Sequence, residues 1–136
     1  MRMVSNTVSH AFARKLEASG VTVAEWVVLR EMYEHETMAP SELAERTGIT
    51  RGAASKLVDR LVGKDLVTRR ERTDDRRFQE IALKPAGRRL IPQLGALADR
   101  NDEEFFRPLS AREREELLAM LKKLVQAHGL KKPPTE

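Results

Sequence analysis

Apolar positions in this chain recur mostly at helical spacing, and they alternate as in strands only between residues 66 and 83. Val4, Val8, Phe12 and Leu16 stand four apart and predict a helix over 4–18, ended by Ser19-Gly20. Thr22 and Glu25 form a capping-box pattern, with Val21 and Trp26 at staple spacing, so a second helix starts there and runs to about His35. Trp26, Leu29, Arg30 and Tyr33 share a face of it, with Trp26 and Tyr33 as core anchors. Pro40-Ser41 introduces a short helix, Ser41 to Arg46, that buries Leu43 and Ala44, and Thr47-Gly48-Ile49 is a tight turn. Thr50 then caps a helix reaching about Lys64. Its Ala54, Leu57, Val58, Leu61 and Val62 face inward. Gly52, Ser55, Lys56, Asp59 and Arg60, with Arg51 near the start, line the opposite side.

Two strands follow, Leu66 to Arg72 and Phe78 to Leu83, separated by Thr73-Asp74-Asp75-Arg76-Arg77. Two short helices, a Gly-containing turn and then a charged hairpin make a helix-turn-helix with a wing. Beyond it, Pro85 fits the first position of a long helix towards Phe105, with Leu90, Leu94, Leu97 and Phe105 at heptad-like spacing and a kink expected at Pro92. Ser110 and Glu113 form a second capping box for a last helix that buries Leu117, Leu121, Leu124 and Val125 and ends near His128-Gly129. The fold class is therefore mainly α: a winged helix-turn-helix with a two-stranded β wing, flanked by helices. The chain reads as one domain over 1–136, with a DNA-binding lobe at 20–90, helical dimerisation regions at 1–19 and 91–130, and a disordered tail at 131–136.

Composition narrows the function. There is no cysteine, hence no disulfide framework and no thiolate chemistry, and His10, His35 and His128 lack metal spacing, so neither metal nor cofactor is expected. No nucleophile motif or Gly-rich phosphate loop points to an enzyme. No run of 18 apolar residues exists and no secretion signal opens the chain, so a cytoplasmic protein without membrane contact is expected. The net charge of +4 is unevenly placed: residues 51–88 hold eleven Lys/Arg against six Asp/Glu, and the rest holds fourteen against fifteen. Positive charge concentrated in 38 residues fits a phosphate-backbone partner.

The candidate contacts lie in that segment. Gly52 and Ser55 let the backbone approach a groove, while Lys56 and Arg60 reach phosphates or base edges. Arg69, Arg70, Arg72, Arg76 and Arg77 crowd nine residues of the hairpin, and arginine on a narrow tip suits a minor groove. The competing readings are a solvated helix face and a solubilising edge hairpin. A winged helix serving protein or RNA contacts, without an operator, is the alternative function.

The order of elements resembles the multiple antibiotic resistance regulator (MarR) family of bacterial transcription factors. Its pattern is carried by Val21-Thr22-Val23-Ala24-Glu25-Trp26, by Leu43-Ala44-Glu45-Arg46-Thr47-Gly48-Ile49, by Leu57-Val58-Asp59-Arg60-Leu61, and most sharply by Asp74-Asp75-Arg76-Arg77 ahead of Leu83 and Pro85-Ala86-Gly87. The resemblance implies a homodimeric repressor on double-stranded DNA. Arg77 would enter the minor groove, held by Asp75, and Ser41, Thr50, Arg51, Gly52, Ser55, Lys56 and Arg60 would face the major groove and its phosphates, with Arg70, Arg72 and Arg76 on the wing. It also implies a small-molecule effector between dimer helices and DNA-binding lobe, for which Arg14, Trp26, Arg30 and Tyr33 are the candidates and a core role the rival reading. Lys84 departs from the family, which usually has Thr there, so the long helix loses a hydroxyl cap.

Overall fold

The computed structural model describes residues 1–75 and 78–130. Six helices and one hairpin follow in the order α1 (Arg2–Glu17), α2 (Val23–Met32), α3 (Pro40–Thr47), α4 (Arg51–Gly63), β1 (Val67–Glu71), β2 (Gln79–Leu83), α5 (Pro85–Phe106) and α6 (Ala111–Ala127). The predicted Arg76 and Arg77 contacts and the 131–136 tail lie outside the described residues.

Local chemistry explains most element ends. The Thr22 hydroxyl accepts from the Glu25 amide at 3.1 Å while the Glu25 carboxylate accepts from the Thr22 amide at 3.2 Å, closing the capping box. Ser110 and Glu113 repeat it on α6, and the donated backbone and hydroxyl bonds from Ser110 hold the Glu113 carboxyl below its ordinary range. At the end of α3, Gly48 sits at φ 75°, a left-handed turn that a Cβ would strain, and its amide donates to Ala44 O at 3.0 Å. Lys84 starts α5 without a side-chain cap, as its departure from Thr implies.

The core is formed by Leu16, Val28, Leu29, Met32, Leu43, Ala54, Val58, Leu61, Val67, Ile81 and Leu94, among others, so every element except α6 contributes to it. β1 and β2 pair antiparallel from Val67 opposite Leu83 to Glu71 opposite Gln79. Met38 adds a bridge to Ile81, with reciprocal backbone bonds of 2.9 and 2.7 Å, so the loop before α3 extends the sheet by one residue pair. Gly87 packs α5 onto the hairpin so closely that an added Cβ would stand 2.3 Å from the Leu66 carbonyl oxygen. The far end of α5 holds α1: Asn101, itself buried, donates to Val8 O at 3.1 Å and accepts from Lys15 Nζ at 3.2 Å. Lys15 also pairs with Glu104 at 2.9 Å, and that bond lowers the Glu104 carboxyl from its ordinary range.

Four expectations need correction. Helix α2 ends at Met32 rather than His35, because the Arg88 guanidinium donates to the carbonyls of Tyr33 (3.3 Å) and His35 (3.1 Å), beyond the last helical turn. Tyr33 is consequently no core anchor: it is exposed, with Arg88 over its ring at 6.0 Å. Val62 is exposed as well, since the inward stripe of α4 is complete at Leu61 and the chain then turns away. Finally, α6 buries none of its residues within one chain. Leu118, Met120, Leu121, Leu124 and Val125 stand between 41% and 58% exposed, and near the start of α6 Arg114 donates to Phe106 O and Leu109 O. Helix α5, for its part, runs unbroken through Pro92.

One buried charge ties the lobe together. Glu25 is 1% exposed, and Lys64, just past α4, donates to its carboxylate and to Gly20 O, both at 2.6 Å. Removing one partner of a fully buried pair costs roughly 3–5 kcal/mol. Lys64 keeps some solvent, so Lys64→Met is expected to cost about 1–3 kcal/mol in urea unfolding. Gly87→Ala is expected to cost about 1–3 kcal/mol by overpacking against backbone. A wild-type midpoint for either variant contradicts this packing.

Candidate nucleic-acid interface

The turn between α3 and α4 is fixed before any charge is placed on it. The Thr47 hydroxyl donates to Leu43 O at 2.6 Å, Ile49 is buried, and Thr50 caps α4 by accepting from the Ala53 amide at 3.1 Å. Because Ala54, Leu57, Val58 and Leu61 are buried, the helix must present Arg51, Gly52, Lys56, Asp59 and Arg60 to solvent, with Ser55 half-buried at its flank. An added Cβ at Gly52 would meet nothing within 4 Å, so the space above it is open to a partner.

The hairpin is locked to this face by Arg69. Its guanidinium donates to the Ser55 hydroxyl at 2.9 Å, to the Asp59 carboxylate and, through Nε, to Gln79 at 2.6 Å. Arg69 thus joins α4, β1 and β2 with one planar group. The sequence reading places Arg69 among the minor-groove arginines of the hairpin and Asp59 on the outer side of the helix, and it misses the clamp that these two make with Ser55 and Gln79. The signal was present: in a strand Arg69 shares its side with Val67, which is buried, so it must point at the domain while Thr68 and Arg70 point away.

Arg70 and Arg72 bond within the hairpin. Arg70 meets Glu80 at 3.3 Å, and Arg72 grips Asp74 with Nε at 2.9 Å and Nη2 at 2.6 Å. Backbone bonds close the stem, from the Arg72 amide to Phe78 O at 2.9 Å and from the Phe78 amide to Asp75 O at 3.1 Å. Asp75 is half-buried and bracketed by this stem. Strand β1 lies beside α4, held there by Arg69.

Between the two elements lies an open cleft of about 540 Å³ lined by Ser41, Arg51, Gly52, Ser55, Arg69, Phe78 and their neighbours. The cleft brings together Ser41, Arg51, Gly52 and Ser55 from the expected contacts. A second cleft, about 520 Å³, joins Ser41, Thr50 and Arg51 but also holds Glu42 and Glu45, which disfavour a phosphate there. Lys56 and Arg60 border a third, of about 450 Å³, whose other walls are Ala13, Thr22, Val23, Ala24, Ala53 and Leu57 from α1, α2 and α4.

The four effector candidates line none of these three clefts. Trp26 is buried with Phe12 edge-on at 6.3 Å, Arg30 covers its ring at 5.8 Å, Tyr33 stands outside under Arg88, and Arg14 is exposed. Arg14 lies on α1, Trp26 and Arg30 on α2, and Tyr33 just past its end, so that helical spacing pairs Trp26 with Arg30. Among the described residues no group of three or more His, Cys, Asp or Glu could hold a metal, and no helix is long and apolar enough to cross a membrane.

A turn-linked helix pair whose second helix presents cations, with an antiparallel hairpin clamped alongside, defines a winged helix-turn-helix protein. The model of the MarR family matches residues 19–77. The chain is 36% identical over 72 residues to the HTH-type transcriptional repressor MdtR of Bacillus subtilis (strain 168), a match covering 53% of this chain and 46%, about half, of that protein. Among solved structures it is similar to a mutant MarR from E. coli complexed with operator DNA (TM-score 0.80, 26% identity, covering 91% of this chain and 89% of that one). It is also similar to MepR of S. aureus in a DNA complex (TM-score 0.80, 25% identity, covering 93% of each). Residues 19–77 are thus similar to the MarR family, and the fold over most of the chain is that of the solved MarR-type structures.

At the hairpin tip, the Arg72 guanidinium holds the Asp74 carboxyl below its ordinary range. A depressed carboxyl stabilises the tip above its unfolded value, and the gain is lost as pH falls through the folded one. In Arg72→Ala, the Asp74 carboxyl followed by NMR is expected to titrate closer to its ordinary value. An unmoved titration contradicts the pairing.

Proposed function

We propose that this protein is a homodimeric transcriptional repressor that binds a pseudo-palindromic operator in double-stranded DNA. The observation that carries the reading is the shared cleft: the cationic side of α4 and the Arg69-clamped hairpin open the same way. Helix α4 lies in the major groove with Arg51, Gly52, Ser55 and Lys56 towards base edges, while Arg60, Thr50 and Ser41 serve flanking phosphates. The hairpin tip, with Arg70, Arg72, Arg76 and Arg77, follows the adjacent minor groove, and Asp75 steadies it. The relatives in complex with DNA support this placement.

The second copy answers the exposed apolar side of α6. A row of Leu118, Met120, Leu121, Leu124 and Val125 is too large to leave in water, and Met3 and Val4 of α1 are exposed apolar side chains as well. A two-fold pairing of α1, α5 and α6 covers it and sets the two α4 helices about 34 Å apart, one turn of duplex. An effector that enters the cleft between α1, α2 and α4 would engage Lys56 and Arg60, competing with phosphates for the same cations and releasing the DNA. The protein acts in the cytoplasm as a regulator and performs no catalysis.

Binding to a selected duplex is expected to weaken steeply with salt, with a log–log slope of about −0.9 per phosphate contacted. Arg77→Ala is expected to weaken binding about tenfold or more, and Lys122→Ala on the outer side of α6 by less than about twofold. Equal effects contradict a role for the hairpin, and salt-independent binding contradicts the interface. Light scattering should return twice the chain mass at micromolar concentration, and Leu124→Glu should shift it towards the monomer; a wild-type monomer contradicts the pairing.

A further inference from the structure

Two helical hydroxyls, those of Thr7 and Thr47, bond within their own helix. Thr7 donates to Met3 O at 2.8 Å and Thr47 to Leu43 O at 2.6 Å, each turned back onto its own helix. Ser55 differs. Its oxygen accepts from Arg69 Nη2 at 2.9 Å, and its hydrogen finds no acceptor among the described residues. The guanidinium that makes this bond is itself fixed by Asp59 and Gln79, so it does not swing away. A cation with only donors to offer cannot accept the Ser55 proton, and it forces the O–H away from itself, towards the cleft.

We infer that Arg69 is a positioning residue that biases Ser55 towards donating, because its guanidinium takes one lone pair of the hydroxyl and its positive charge repels a second N–H donor, so that Ser55 prefers an acceptor on a base edge. In the major groove the acceptors are purine N7, guanine O6 and thymine O4, whereas the exocyclic amines of cytosine and adenine are donors. A free serine hydroxyl reads both kinds, which is why it discriminates poorly. With one of its two lone pairs taken by a guanidinium whose charge repels a further N–H donor, Ser55 disfavours the amine-bearing edge. This rests on the operator-binding reading above and adds to it the polarity of one contact.

The test takes a duplex selected by the wild-type protein and replaces its major-groove acceptors one at a time. 7-Deazapurines remove N7, 2-aminopurine removes guanine O6, and 5-methyl-2-pyrimidinone removes thymine O4. At fixed salt, one replacement per half-site is expected to weaken wild-type binding by about five- to tenfold, the range of a single hydrogen bond. Ser55→Ala, a good helix former at that position, should abolish that penalty. Arg69→Met should shrink it to about twofold or less and let cytosine or adenine be tolerated there, an effect that loss of hairpin stability alone would spread over every duplex. If Arg69→Met does not fold, Arg69→Lys takes its place, since an ammonium cannot hold Ser55, Asp59 and Gln79 together, and the same relaxation is expected. A penalty indifferent to Ser55, or one kept in full by the Arg69 variant, overturns the inference and leaves the operator reading standing. Failure of the wild-type protein to retain any duplex overturns both.

Discussion

One planar cation decides how this lobe presents itself. Helix and hairpin are joined covalently only through the turn at Lys64–Leu66, and that alone would leave the hairpin free to swing about its base. Arg69 removes that freedom by donating to Ser55 and Asp59 on α4 and to Gln79 on β2. Each bond taken singly is worth little at a surface. Three from one rigid fork restrain orientation, which a flexible ammonium would not do. The consequence is geometric: the exposed cations of α4 and the hairpin are held around one cleft.

That arrangement depends in turn on burial elsewhere. α4 turns its polar side outward because Ala54, Leu57, Val58 and Leu61 are taken up by the core, and its C-terminal end is anchored by Lys64 on the buried Glu25. Since Glu25 also closes the capping box of α2, the ion pair joins the start of one helix to the end of another. Gly87 then brings α5 against the hairpin at a distance no other residue allows. Charge display at the surface is therefore set by close packing beneath it, and a lesion at Gly87 or Lys64 is felt at the interface without touching it.

Much of this was legible in the sequence, and the failures have physical causes. Both capping boxes, the Thr50 cap, the turn at Gly48 and the inward stripe of α4 follow from local chemistry, and local chemistry survives folding. Tyr33 and the end of α2 were misjudged because Arg88, 55 residues later in the chain, captures the carbonyls of Tyr33 and His35. Met38 joined the sheet through a pairing that has no signature in its own neighbourhood. The α6 stripe is legible as apolar and as more than its own neighbours cover, and one chain leaves it exposed. In the site, cations on α4 could be read from helical spacing. The role of Arg69 needed the strand period to be applied to a charged residue, where a run of arginines invites a purely electrostatic reading.

The most direct test of the common orientation of helix and hairpin is hydroxyl-radical footprinting of the wild-type protein on a duplex selected from a random library. The account predicts two protected backbone patches per site, related by two-fold symmetry and spaced about one helical turn, each flanked by protection across the neighbouring minor groove. A footprint lacking the minor-groove flank, or protection spread evenly along any duplex offered, would contradict it.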